Sequence, residues 1–271
     1  MKRSVLALSS LLFLLIASCS TNPFTGKKDL NFVSNKEIFP TAFQQYDSFL
    51  KENKVIKSTS QSAMVVSVGK KIKEAAEKYL TAKGYKGYLK DYAWEYNLVD
   101  DPAVNAWCMP GGKIVVYTGI MPITKNEAGL ATVMGHEVAH ALVNHGAQRM
   151  SAGTLQQYGA TGVALATSGQ SESAQQLYQQ AYGVTTQYGA MLPFSRKHEN
   201  EADEIGLTLM AIAGYNPEEA ISFWQRMDAN SGGNAPKEFM STHPSSNTRI
   251  KNIRSLIPKA KAEAAKFGVK L

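Results

Sequence analysis

The stretch "VMGHEVAHAL", residues 133–142, limits what this chain can fold into more than any other. Its two histidines, His136 and His140, stand four apart. On a helix, positions i and i+4 share one face, with Cβ atoms about 5–6 Å apart. Two imidazoles so placed can point at one metal ion, and a neutral ring nitrogen binds Zn2+ at about 2.0–2.1 Å. Glu137 projects near the same point without entering the same coordination position. It can therefore take a proton from a water activated there. The competing reading is an amphipathic helix that happens to carry His, Glu and His. A metal site, unlike that helix, needs another ligand from elsewhere in the chain.

One continuation is excluded at once. A third histidine six residues after His140, with a glycine three residues after it, marks the metzincin pattern. Those positions hold Gly146 and Val143, and His145 is off register and reads as a surface histidine. The segment "SRKHENEADEIG", residues 195–206, offers two glutamates instead, Glu199 and Glu201. Glu199 and Asp203 are i and i+4 on one helical face, and Glu201 lies about 100–200° round from them. The Glu-x-x-x-Asp pair is similar to the glutamate-zincin pattern. In that pattern the first carboxylate binds zinc, and the second hydrogen-bonds the far nitrogen of a histidine ligand, here His136. A charged, solvated helix would suit the same residues. Two His, one Glu and an open position describe a catalytic zinc site, not a structural one.

The rest of the 271-residue chain reads as one domain, residues 36–271, behind a leader. Lys2 and Arg3 precede an apolar run at residues 5–17, short of the ~20 residues a membrane-spanning helix needs. The run ends in Ile16, Ala17, Ser18 and Cys19, which resembles a bacterial lipobox. On that reading residues 1–18 are a lipoprotein signal peptide, Cys19 is lipid-modified and anchors the chain to a membrane, and residues 19–35 form an extended tether. An ordinary signal peptide is the alternative. Cys108 is the one other cysteine, so no internal disulfide holds the exported fold. The formal charge is +7, of which the leader supplies two. With no arginine-rich patch carrying interleaved aromatics, nucleic acid is a poor partner.

Apolar spacing predicts helices from about Lys36 and over residues 62–83, the latter capped by Gly84. "YAWEYNLVD" and "KIVVYTG" predict strands on either side of a Pro110-Gly111-Gly112 turn, in a small antiparallel sheet. Helix resumes near Lys125, and another covers residues 196–214. Residues 151–194 carry a single charge, Glu172. They suit a mobile lid, a membrane-contacting hairpin or, preferred here, a buried or loosely packed helical pair.

With these motifs assembled, the chain resembles peptidase family forty-eight of the metallo class, which includes HtpX, CAAX prenyl protease and BepA-type enzymes. "NPFTGKKDLNFVS", "NAWCMPGGKIVVYTG", "SRKHENEADEIG" and "STHPSSNTRI" follow one another in that family's order across most of the chain. With no long apolar helix after the leader, it fits the soluble exported lipoprotein branch. The resemblance implies a mainly helical α+β, zincin-like (gluzincin) fold whose edge strand lies over the zinc helix. It implies one Zn2+ held by His136, His140 and Glu199, with Asp203 behind. Val104, Asn105, Ala106 and Trp107 would bind an unfolded substrate segment by β-augmentation. His243 would either stabilise the oxyanion or cap the zinc as a resting fourth ligand. Arg249 would hydrogen-bond the substrate carbonyl or anchor the site through a carboxylate. The implied activity is endoproteolysis of unfolded or misassembled cell-envelope proteins. The location favoured is the periplasm-facing outer membrane, weakly, because Ser20 and Thr21 do not resemble an inner-membrane retention signal. A chaperone or assembly factor with its zinc plugged by His243 is the reading from another class.

Overall fold

A computed structural model describes residues 19–231, 238–243 and 247–271. The predicted signal peptide lies outside the described residues. In chain order the first elements are β1 (Cys19–Thr21), β2 (Lys28–Leu30), α1 (Asn35–Glu52), β3 (Val55–Ile56), α2 (Ser60–Ala82), β4 (Glu95–Val99), β5 (Ala106–Met109) and β6 (Lys113–Tyr117). There follow α3 (Met121–Thr124), α4 (Glu127–Leu142), α5 (His145–Ala166), α6 (Glu172–Thr186), α7 (Leu192–Ile212), α8 (Glu219–Ser231), α9 (Glu238–Thr242) and α10 (Asn247–Ala265). These described residues fall into two compact units. One comprises 35–143 with 199–271, the other 19–34 with 144–198.

The first unit is built round a four-stranded sheet in the order β3-β4-β6-β5. The sheet is mixed, which corrects the antiparallel expectation: β3–β4 and β5–β6 are antiparallel, but β4 and β6 run parallel. The cause is the turn at Gly111 and Gly112, both at φ +86°. The chain runs out along the edge as β5, turns, and returns as β6 between β5 and β4. Alternation within a strand cannot reveal that insertion. β6 is interior, and Ile114, Val115 and Val116 are all buried, as a β-branched run requires when both strand faces are covered.

Helix α4 starts where Asn126 Oδ1 accepts from the Gly129 amide at 2.8 Å, an N-cap with Glu127 in the positive first turn. Every residue from Gly129 to Leu142 is buried. A helix covered all round reads as apolar all round, so its histidines and Glu137 stand out as the polar groups that need partners. β5 and α2 both pack on it. Helix α7 crosses it backbone to backbone. A Cβ on Gly206 would meet the His136 nitrogen at 2.8 Å, and one on Gly135 would meet the Gly206 carbonyl at 2.9 Å. Only paired glycines let two helices approach this closely.

The second unit pairs β1 with β2, so residues expected to run extended form a short antiparallel ladder. Asn22 Nδ2 donates to Asp29 Oδ2 at 3.0 Å across it. Residues 151–194 are helical, as α5, α6 and the π turn Gln187–Met191 that runs on into α7. Of the two expected forms, buried or loosely packed, the pair takes the loose one: α6 has no buried residue.

Candidate metal centre

Helix α4 contributes His136, Glu137 and His140, and the start of the α7 segment in the same unit contributes Glu199 and Asp203. The geometry is that of four donors round a point. His136 Nε2 and His140 Nε2 are 3.1 Å apart. Glu199 oxygens lie 3.3 Å from each of those nitrogens. His243 Nδ1 is 3.1 Å from His136 Nε2 and 2.9 Å from Glu199 Oε2. Ligands about 2.0–2.1 Å from a tetrahedral zinc stand roughly 3.3–3.4 Å from one another. The donor set fits that ion in number, chemistry and spacing, and all four residues share one cluster within 4.8 Å.

His243, left open between two roles by the sequence, brings Nδ1 into the same cluster. Its Nε2 faces Glu137 Oε1 at 3.4 Å. Asp203 Oδ1 sits 2.9 Å from His136 Nδ1, on the far side of the ring from the cluster. Arg249, buried on α10, turns to that carboxylate: Nε donates to Asp203 Oδ2 at 2.8 Å and Nη2 to Oδ1 at 2.7 Å. A further nitrogen, Nη1, lies 3.2 Å from Glu199 Oε2. Both bonds of the fork thus go to Asp203.

The electrostatics follow from burial and these contacts. Burial opposes charge on Glu199, but hydrogen bonds from His136, His140 and His243 hold its carboxyl well below the usual carboxylate range. Burial also opposes charge on Asp203, and the Arg249 guanidinium and the His136 bond overcome it. On His136 burial lowers the pKa, yet Asp203 and Glu199 together push it up to about 9. Two buried carboxylates kept in their charged form among imidazoles and a guanidinium make a site organised for positive charge.

Other expectations are corrected or refined. Glu201 is buried but outside the cluster. His145 is not a surface group: it is buried and stacked on His198 at 3.9 Å between ring centroids, in the second unit. The edge strand, expected over Ala103 to Trp107, begins at Ala106, three residues later. Asn105 turns its carbonyl to the Tyr117 amide, and the Val104 carbonyl accepts from the Phe239 amide at 3.3 Å. Trp107 packs edge-on against Tyr46 and Phe49 of α1, on the opposite sheet face from α4. Sequence reasoning missed Trp224. Its ring lies 3.7 Å beneath the Arg249 guanidinium and carries the cation that holds Asp203. An aromatic at helical spacing in α8 looks like ordinary core, and it offers no signal before α10 is docked on it. The Gly135–Gly206 crossing was also missed.

The Peptidase family M48 model matches residues 68–257, more than half of the chain. The chain belongs to peptidase family M48. Within M48, it is 40% identical to the mitochondrial metalloendopeptidase OMA1 of Schizosaccharomyces pombe over 177 residues, 65% of this chain and 50% of that protein. It is 30% identical to the human mitochondrial metalloendopeptidase OMA1 over 246 residues, 88% of this chain and 46% of that one. With the beta-barrel assembly-enhancing protease of Escherichia coli it shares 26% over 167 residues, 60% of this chain and 34% of that one. The chain spans about half or less of the length of each of these M48 relatives. That several are mitochondrial proteins of eukaryotes overturns the outer-membrane, periplasm-facing location expected from the leader. Among the described residues, no helix is long and apolar enough to cross a membrane.

Proposed function

We propose that this chain is a zinc-dependent endopeptidase that cuts unfolded or misassembled polypeptides. The observation that carries the reading is the four-donor cluster of His136, His140, Glu199 and His243 with the Glu137 carboxylate alongside. Bound there, zinc would lower the pKa of a water to about 7 and polarise a peptide carbonyl. The chain's own residues do the rest. Glu137 accepts the proton of the attacking water and returns it to the leaving amine. Asp203 keeps the His136 proton on Nδ1, which leaves Nε2 as the ligand atom and raises its basicity. Arg249 holds Asp203 and is a positioning residue. The open side of β5, at Ala106 and Cys108, takes an extended substrate by backbone hydrogen bonds, which suits unfolded segments of varied sequence. That one relative is a beta-barrel assembly-enhancing protease supports a role on polypeptides during assembly.

His243, whose Nδ1 lies among the donors, would cap a bound zinc at rest, and its ring would have to leave for water to take that position. This feature also supports a second reading, a chaperone or assembly factor whose zinc stays plugged. Cys19, behind Ala17 and Ser18, is proposed as an acylation site that ties the chain to a membrane; intact mass would reveal the added lipid.

The test is zinc content of the wild type and of the Glu199→Ala and Glu201→Ala variants, with casein cleavage by wild type and Glu137→Gln. The endopeptidase reading requires about one zinc per chain, lost with Glu199→Ala and kept with Glu201→Ala, and cleavage lost with Glu137→Gln at unchanged zinc. Zinc-loaded wild type that leaves casein intact while preventing its aggregation would establish the second reading. Wild type that takes up no zinc would end both.

A further inference from the structure

The second unit carries an anomaly that the metal centre does not use. Helices α5 and α6 form an antiparallel hairpin whose seam is polar and whose flanks are apolar. In the seam Gln156 Nε2 donates to Thr186 Oγ1 at 2.8 Å, Gln179 Nε2 to the Ala160 carbonyl at 2.9 Å, and Tyr182 Oη to the Gln156 carbonyl at 3.0 Å. A Cβ on Gly159 would meet Tyr182 Oη at 2.0 Å, so the helices touch there. On the outside, Tyr158 is 70% and Leu165 71% exposed on α5. Leu177 is 65% exposed on α6, and Tyr188, in the π turn that continues it, is 69% exposed. At about 100° per residue, the α5 pair points directly away from α6, and the stripe of Leu177, Val184 and Tyr188 points directly away from α5.

This is a water-exposed hairpin turned inside out. In water, apolar residues belong in a seam and polar ones outside. Small residues and hydrogen-bonding side chains between helices, with Leu, Val and Tyr facing out, suit an apolar medium. The medium must cover two opposite flanks. A groove on a folded partner covers one, whereas a fluid covers both.

Charge says which fluid boundary. Residues 151–194 hold only Glu172, while cations gather at the hairpin's base. Arg149 opens α5, Arg196 and Lys197 follow the π turn, and Lys27 and Lys28 sit on or beside β2, with Asp29 3.8 Å from Lys197. Cations beside an uncharged apolar element match anionic headgroups beside acyl chains. Tyrosines on the flanks suit the same boundary. The apolar run at residues 5–17 leads into β1, and the Phe32 amide donates to Ser151 Oγ at 3.0 Å, which ties that segment to the start of α5.

We propose that the α5–α6 hairpin is a lipid-contacting element, seated lengthwise in the boundary between the headgroups and acyl chains of a bilayer, with both outer flanks against lipid. It does not span, and it acts in addition to any anchor at Cys19. A bound lipid surface would then hold one compact unit of the peptidase in a fixed relation to the membrane.

The experiment places a tryptophan on each flank of the full chain, Tyr158→Trp and Tyr188→Trp. Emission is read in phosphatidylcholine–phosphatidylglycerol vesicles whose acyl chains are brominated or not. The proposal expects the added emission to shift blue on vesicle binding and to be lost with brominated chains at both positions. An anchor at Cys19 alone cannot produce that, because the readout belongs to the hairpin. Added emission that is equally bright with both lipids overturns the proposal. A second copy of the chain is the competing occupant. If the tryptophans are already blue-shifted without lipid, and Leu165→Ser with Leu177→Ser reduces the solution mass from a multiple of the chain to a single chain, the flanks belong to that copy and the proposal fails.

Discussion

Replacing Gly206 with alanine tests the claim that the metal site depends on how closely α4 and α7 cross. The new Cβ would lie 2.8 Å from the His136 nitrogen, 2.9 Å from the Gly135 carbonyl carbon and 3.0 Å from the His136 Cα. Carbon atoms rest at about 3.5–4.0 Å, so the helices must part by roughly 0.7 Å, and no flexible side chain can yield instead. Overpacking of this kind costs about 1–3 kcal/mol. Alanine regains about 1 kcal/mol in helix propensity. Net stability therefore falls by only about 0–2 kcal/mol and is a blunt readout. Zinc is a sharp one. His136 rides on one helix and Glu199 on the other, and ligand distances tolerate about ±0.2 Å. We expect zinc affinity to drop at least about tenfold, near 1.4 kcal/mol, by competition with a chromophoric chelator, with casein cleavage falling in parallel. The control is Gly162→Ala on α5, where a Cβ meets nothing within 4 Å. It should be neutral or stabilising in urea and leave zinc untouched. If Gly206→Ala binds zinc and cleaves like wild type while melting higher, the close crossing does not set the site.

Asp203→Asn keeps the shape but loses the charge opposite His136 and Arg249, and zinc affinity should fall about 10–100-fold by the same competition assay. Without a metal, the His136 pKa of about 9 lies above its ordinary 6.5, so the folded state binds the extra proton between those values. That contribution to stability is complete below pH 6.5 and is lost as pH rises through 9. Zinc-free protein should therefore lose urea resistance over that window, whereas zinc-loaded protein shows no slope from this group. For the same reason zinc binding at pH 7 should release a proton, read by calorimetry in buffers of different ionisation enthalpy, and Asp203→Asn should shrink that release. His243→Ala separates the roles of that ring: a cap predicts retained zinc and faster casein cleavage, while an oxyanion donor predicts a loss of roughly 10²–10³-fold in kcat. Arg249→Lys loses the planar fork on Asp203 and the stacking on Trp224, so zinc affinity should weaken while the His243 effect persists.

What the sequence alone determined lies within single elements. Helical periodicity put His136 and His140 on one face and Glu199 and Asp203 on another, because a 3.6-residue repeat is set by backbone geometry before any packing occurs. The same local logic placed α2 to within two residues at each end and the start of α4 to within about two, found the turn at Gly111, and separated Glu199 from Glu201. It failed where placement depends on partners far along the chain. The order β3-β4-β6-β5 depends on which strand slides between two others, and alternation is the same in either arrangement. The apolar flanks of α5 and α6 look, in sequence, like the faces of a packed pair. His243 stands more than a hundred residues from His136, and no period links them. Arg249 has one planar fork and more than one candidate acceptor, and the docking of α10 on Trp224 brings it to Asp203. The glycines at 135 and 206 were each unremarkable until two helices met at them. Contacts of that range are bought with packing across the whole unit, so the tertiary structure alone decides them.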